Sequence, residues 1–178
     1  MKPRVLFVDD DSHALDGYSR IARTIATLHA ESWRGAYRGL YSDHFLDHEV
    51  HAERLTFWRL RVTELRTLDA ELFLATLHGR AVGFTCIEAG PKCSHGAYID
   101  NLHVLPAMQG RSVGRMLVER AADWARTRGE KAICLFVFED NASARAFYAA
   151  TGWREAGREM HTMVTGDTAP VLRLVKRI

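Results

Sequence analysis

The sequence predicts an α+β domain: a mixed, mostly antiparallel sheet with helices packed on its faces. Three observations lead there. Apolar runs of strand length and apolar stripes of helical period follow one another in the order β-α-α-β-β-β-α-β-α-β-β. The unit strand, turn, helix, strand from Tyr98 to Phe138 has the length of a parallel crossover. The runs flanking it come as hairpins, which pair antiparallel, and helices then cover the faces of such a sheet.

The elements follow in chain order. "PRVLFV" at 3–8 reads as a first strand, and Ser12, after Asp9, Asp10 and Asp11, offers a helix N-cap. Leu15, Tyr18, Ile21, Ala22, Ile25 and Leu28 recur at helical spacing, and "ESWRGAYRGL" continues from them, with Gly35 and Gly39 as break points. Val50, Leu55, Trp58, Val62 and Leu65 mark a second helix. "AELFLATLHGRAVGFTCIEAG" is two strand-length runs around His78-Gly79-Arg80, a hairpin pattern. After the loop "PKCSHG", "AYIDNLHVL" is a strand that stops at Pro106. Val113, Met116, Leu117, Ala121 and Trp124 form the apolar side of a helix ending near Gly129. "KAICLFVF" is continuously apolar, as a strand covered on both faces is. "NASARAFYAATG" is a short helix closed by Gly152, and "WREAGREMHTMV" and "APVLRLVKRI" are closing strands around "TGD".

Composition narrows the classes. The 178 residues fit one domain over 1–178. Apolar residues make up 47% and charged residues 26%, the mix of a globular protein with a core. A net charge of +2, with nine histidines neutral, is too small a basic excess to argue for nucleic acid. No apolar run approaches the ~20 residues of a membrane span, and no secretory signal pattern opens the chain. Cys86, Cys93 and Cys134 form no CxxC pair, their odd number argues against a disulfide framework, and no tight ligand cluster suggests a metal. Cys134, inside "AICLFVF", reads as a small buried hydrophobe. The expectation is a cytoplasmic protein without nucleic acid, membrane or metal. "VLFVDDDS" resembles the first strand and acidic pair of a receiver domain, but the later aspartate such a domain needs falls in the helical "HAERLTFWRL".

The chemistry concentrates in "LPAMQGRSVGRML". A turn between a strand and a helix N-terminus presents backbone N–H groups with no intrahelical acceptor, and with the helix dipole these make an anion site. Gly110 and Gly114 let backbone approach a phosphate closely, and Gln109 and Arg111 add side-chain donors. By itself a glycine turn before a helix is more often only a turn. Some 30 residues on stands "NASARAFYAATGW".

Together these two stretches resemble the GCN5-related N-acetyltransferases (GNAT), over roughly residues 19–178, with 1–18 fitting less well. The family's turn, Gln or Arg, any, any, Gly, any, Gly or Ala, is matched at Gln109 and Gly114, while Ser112 stands where the central glycine usually sits. A serine is tolerated there if residue 112 takes helical dihedrals. The family's second pattern is matched at Asn141, Ala144, Phe147, Tyr148, Gly152 and Trp153. The resemblance implies helices on both faces of the sheet and a splayed parallel strand pair that binds acetyl-coenzyme A. It implies that the strand Leu102-His103-Val104 pairs with the pantetheine arm and that the turn Gln109, Gly110, Arg111, Ser112, Val113, Gly114 and Arg115 holds the pyrophosphate. It implies that Asn141 bonds the arm and that Tyr148 protonates the leaving thiolate.

The implied activity moves an acetyl group to a primary amine of a small molecule or peptide. The amine must lose a proton, and Asp100, directly or through water, is the candidate base, with His103 as the alternative. A backbone N–H of the cofactor strand would stabilise the developing oxyanion. Trp33 and Tyr37, with Glu31 and Asp43, fall where the family builds its acceptor pocket. A non-catalytic acyl-coenzyme A binding or sensing module is the rival reading, and closing strands such as "VLRLVKRI" could leave an edge on which a homodimer pairs.

Overall fold

The computed structural model describes residues 4–7, 15–65, 67–90 and 96–178. Among these residues seven strands form one sheet: β1 Arg4–Phe7, β2 Ala70–Leu77, β3 Arg80–Glu88, β4 Ala97–Val104, β5 Ala132–Phe138, β6 Arg154–Thr162 and β7 Thr168–Arg177. The α-helices described with them are α1 Leu15–Ala36, α2 Val50–Glu64, α3 Val113–Thr127 and α4 Ala142–Ala150. The spatial order is β1-β2-β3-β4-β5-β7-β6, so β7, which carries all but the last residue of "VLRLVKRI", is paired on both sides and is not the edge expected of it. Among the described strands only the β4–β5 pair is parallel, the crossover expected around α3.

Periodicity sorts the helices onto the two faces. On one, Ala22, Ile25 and Ala26 of α1 and Trp58 and Val62 of α2 pack on Leu72, Phe84 and Cys86. On the other, Val113, Leu117, Val118, Ala121 and Ala125 of α3 pack on Phe73, Ala75, Ile87, Ile133 and Leu135. Each Val, Leu or Ile side chain among them contributes about 1.5–3 kcal/mol by leaving water. The β6–β7 hairpin lends Met163 and Ala169 to a third cluster, with Trp33, Tyr41, Phe45 and Leu46.

Several local expectations change. α1 runs through Gly35, and the break falls at Gly39, where φ is +83°. Gly35 is a packing residue: a Cβ there would stand 3.0 Å from Pro106 Cγ. A π-helical turn over Phe45–Glu49 leads into α2. Cys134 is buried in β5 and is half of a disulfide, which corrects its reading as a plain hydrophobe. The loop "PKCSH" and the Ser12 cap lie outside the described residues. β1 pairs with β2 from Arg4↔Thr76 to Phe7↔Phe73, so the first residues add an edge strand.

The sheet opens between β4 and β5. These strands pair only at Ala97↔Ile133 and Tyr98↔Cys134. At the base of the pair, a Cβ on Gly96 would stand 2.0 Å from the Ala132 carbonyl oxygen, so only glycine lets the strands close there. Just beyond, the β3–β4 register jumps between Cys86↔Asn101 and Ile87↔Ile99. Asp100 is the extra residue of this bulge, and a bulge bends its strand and increases its twist. β5 meanwhile continues against β7 as far as Phe138↔Val171.

Candidate active site

The opening between β4 and β5 continues into a cleft of about 1110 Å³. Its walls include Leu102, His103 and Val104 of β4, Leu135 to Phe138 of β5, the turn before α3, and Asn141 and Tyr148 of α4. Trp33 and Tyr37 close it from the α1 side. Of the residues expected to hold the cofactor, Gln109, Gly110, Ser112, Val113, Gly114 and Arg115 all line the cleft, and Arg111, exposed on the turn, does not. Glu31 and Asp43 are also exposed and outside it; Asp43 pairs with Arg38 at 2.7 Å.

The turn is built by two left-handed residues. Gly110 has φ +71° and Ser112 has φ 64°, ψ 6°. Ser112 therefore does not take right-handed helical dihedrals, and the expectation that it would is corrected. The left-handed region is where glycine has its advantage, which explains why a glycine is usual at this point of the pattern. Met116 N–H donates to the Ser112 carbonyl at 3.0 Å and opens the ladder of α3, so the amides before it are free of intrahelical acceptors. Gly114 packs on α4: a Cβ there would meet Phe147 Cζ at 3.2 Å. The two sequence motifs thus touch.

Asn141 caps α4, its side-chain oxygen accepting from Ala144 N–H at 3.1 Å. That use leaves its amide N–H groups for the cleft it lines. Tyr148 is buried, edge-on to Phe147 and Trp153 at 5.2 and 5.4 Å. Burial raises its phenol above the ordinary value, so it keeps its proton. Tyr37 is raised by burial and by Tyr41, and Tyr41, which stacks on Trp33 at 5.1 Å, is pushed up to about 12 chiefly by burial.

Asp100 lines the cleft but is tied down. Its Oδ2 lies 3.2 Å from Arg61 and accepts from Asn101 at 2.9 Å. Arg61 is 5% exposed and donates to the equally buried Glu88 at 2.5 Å. This arrangement favours a carboxylate that anchors the β4 bulge over one that takes a proton.

Sequence reasoning missed the polar group on the α1–α2 side: His29, Ser32, Glu53 and Arg54 all border the cleft. Arg54 is paired with Glu53, and its guanidinium lies 4.4 Å over Trp33 and 4.7 Å over Phe57. The signal was available. His29 and Ser32 continue the apolar stripe through Ile25, and Arg54 and Arg61 flank Trp58 at helical spacing. A polar residue on a buried stripe is the informative kind. Among the described residues no group of three or more His, Cys, Asp or Glu is placed to hold a metal ion, and no helix is long and apolar enough to cross a membrane.

Comparison with known proteins places this geometry. An N-acetyltransferase of Methanocaldococcus jannaschii that is uncharacterised is 30% identical over 147 residues, 80% of this chain and 58% of that protein. A mycothiol acetyltransferase of Thermomonospora curvata is 34% identical over 110 residues, 61% of this chain and 36% of that protein. The chain thus spans less than two thirds of the length of these relatives. The fold matches the PaiA N-acetyltransferase of Thermoplasma acidophilum, solved with coenzyme A, with a TM-score of 0.72 over the whole of both chains at 17% identity. The family model of the acetyltransferase (GNAT) family matches residues 28–153, from within α1 to the last residue of the second motif, and the chain belongs to that family.

Proposed function

We propose that this chain is an acetyl-coenzyme A dependent N-acetyltransferase acting on a primary amine of a small molecule or peptide. The observation that carries the reading is the opening of β4 from β5 after two paired residues, directly above a turn of free amides. The residues present fit the cofactor: the strand opening suits an extended amide-bearing arm, and the glycine at 110 and the small residue at 112 leave the amides accessible to a pyrophosphate.

Acetyl-coenzyme A, when bound, supplies a thioester whose acetyl group passes to the amine. The backbone groups of Leu102, His103 and Val104 facing the opening would pair with the arm as an added strand would. The amides of Gly110, Ser112, Val113, Gly114 and Arg115, with the Gln109 side chain, would hold the pyrophosphate at the positive end of α3. Asn141 would donate to the arm. A β4 backbone N–H would stabilise the charge that develops on the carbonyl oxygen. Tyr148, which keeps its proton, would give it to the departing thiolate. Trp33, Tyr37 and Tyr41 form an aromatic wall for the acceptor.

The non-catalytic alternative has only the strained Ser112 in its favour, and a pure binder would have no need of a proton donor such as Tyr148 in the cleft. The deciding experiment measures melting temperature with acetyl-coenzyme A and thiol release with a panel of alkylamines, amino acids and peptides. Ligand at 100 times its Kd stabilises by about 2.7 kcal/mol. No shift at millimolar cofactor would overturn the reading, and a shift without thiol release from any amine would leave the binding module.

A further inference from the structure

The cleft is lined by two histidines in contact, whose surroundings give them different chemistry. Trp58 Nε1–H donates to His29 Nδ1 at 3.0 Å. An indole N–H is a donor only, so Nδ1 keeps its lone pair and the single proton of His29 sits on Nε2. A second proton would face the indole N–H head-on. His103 lies against this ring, tilted by 38°, with centroids 4.1 Å apart. Its Nδ1 lies 3.1 Å from Ser32 Oγ. A hydroxyl both donates and accepts, so Ser32 can serve His103 in either protonation state. His29 is 1% exposed, whereas His103 is partly open to the cleft it lines.

We propose that His103 receives the proton of the acceptor amine, with Ser32 holding its ring through the exchange and the Trp58–His29 pair forming a wall that cannot ionise. The proposal rests on the acetyltransferase reading and deepens it. The amine enters neutral, and its lone pair forms the N–C bond to the acetyl carbon. Nitrogen then carries positive charge and yields one proton to Nε2 of His103. The C–S bond breaks with its electron pair on sulfur, and the thiolate takes the Tyr148 proton. The imidazolium returns its proton to solvent, and Tyr148 is reprotonated from it.

The groups facing His103 are His29 and Ser32 from α1, Arg54 from α2 and Phe84, at 5.4 Å, from β3. Burial first, and then Arg54, depress His103 to about 3. Burial, His103 and Arg54 lower His29. Held so low, the His103 ring stays neutral and keeps a lone pair ready for the amine nitrogen, whose protons become more acidic once the N–C bond has formed. It also gives the proton up at once, so the residue is not trapped as a second cation beside Arg54.

The test compares wild type with His103→Gln, which can still bond Ser32 and leaves the β4 backbone intact but cannot carry the proton. Expected is a loss of about 10²-fold in kcat, with the melting shift on coenzyme A retained, and a smaller loss in Ser32→Ala. Independent of turnover, imidazole ¹⁵N shifts should hold His29 in the Nε2–H form from pH 8 to 5, and Trp58→Phe should release it to a tautomer mixture. Unchanged kcat in His103→Gln, with an amine that wild type acetylates, overturns the proposal, as does a His29 that titrates in wild type. Wild type that fails to bind coenzyme A would instead sink the acetyltransferase reading, and the proposal with it.

Discussion

Ser112 holds a conformation that its Cβ resists. A left-handed residue other than glycine costs roughly 1–2 kcal/mol. Ser112→Gly removes that cost, offset in part by the greater freedom glycine has when unfolded. We expect a net gain of about 1 kcal/mol, or about 2–4 °C in a chain of this size, with coenzyme A affinity kept or improved. A lower melting temperature would refute the strain account, and a loss of affinity would make the serine hydroxyl a ligand. Tyr148→Phe is the second test at this scale. The ring stays against Phe147 and Trp153, so stability should hold, while kcat should fall about 10²–10⁴-fold with cofactor binding little changed. A drop in stability at constant kcat would return Tyr148 to a packing role. Both residues stand out in the sequence through their motifs, and both line the cleft. The dihedrals of Ser112 were not, because a turn's handedness depends on how strand and helix are joined in space.

At the scale of elements, the order of strands and helices could be read because each carries its own period and its own stops, such as Pro106 and Gly152. The β4 bulge could not. It depends on Arg61, which reaches from α2 to Glu88 on β3 and Asp100 on β4, contacts 27 and 39 positions along the chain. Nothing local to "AYIDNLHVL" announces an extra residue. Arg61→Met would remove the cation that bridges these two carboxylates. Breaking a buried pair in this way costs about 3–5 kcal/mol, read as a fall in the urea midpoint. Adding Glu88→Gln should recover part of it. Because the bulge directs β4 away from β5, coenzyme A affinity should fall together with stability in Arg61→Met. Stability lost with affinity intact would separate the bulge from the opening of the cleft.

For the molecule as a whole, the same histidines that line the cleft couple its stability to pH. In the unfolded chain each has an ordinary value near 6.5. In the folded protein His103 sits at about 3 and His29 is also well lowered, both chiefly by burial. Below 6.5 the unfolded state therefore binds more protons than the folded one, and stability rises with pH across that window. The stabilisation is fully present above about pH 6.5 and is lost progressively as pH falls toward the folded values. Each histidine contributes a slope of about 1.4 kcal/mol per pH unit, so the pair gives about 2.7 kcal/mol per unit once pH is well below 6.5. Urea titrations at pH 7.5, 6 and 5 should show this acid-side loss, and His103→Gln should make it shallower by the share of one histidine. An equal slope in wild type and His103→Gln would mean that His103 titrates alike in both states. The ring would then be hydrated as in the unfolded chain, and the close contact with His29 on which the proton-transfer proposal depends would be absent.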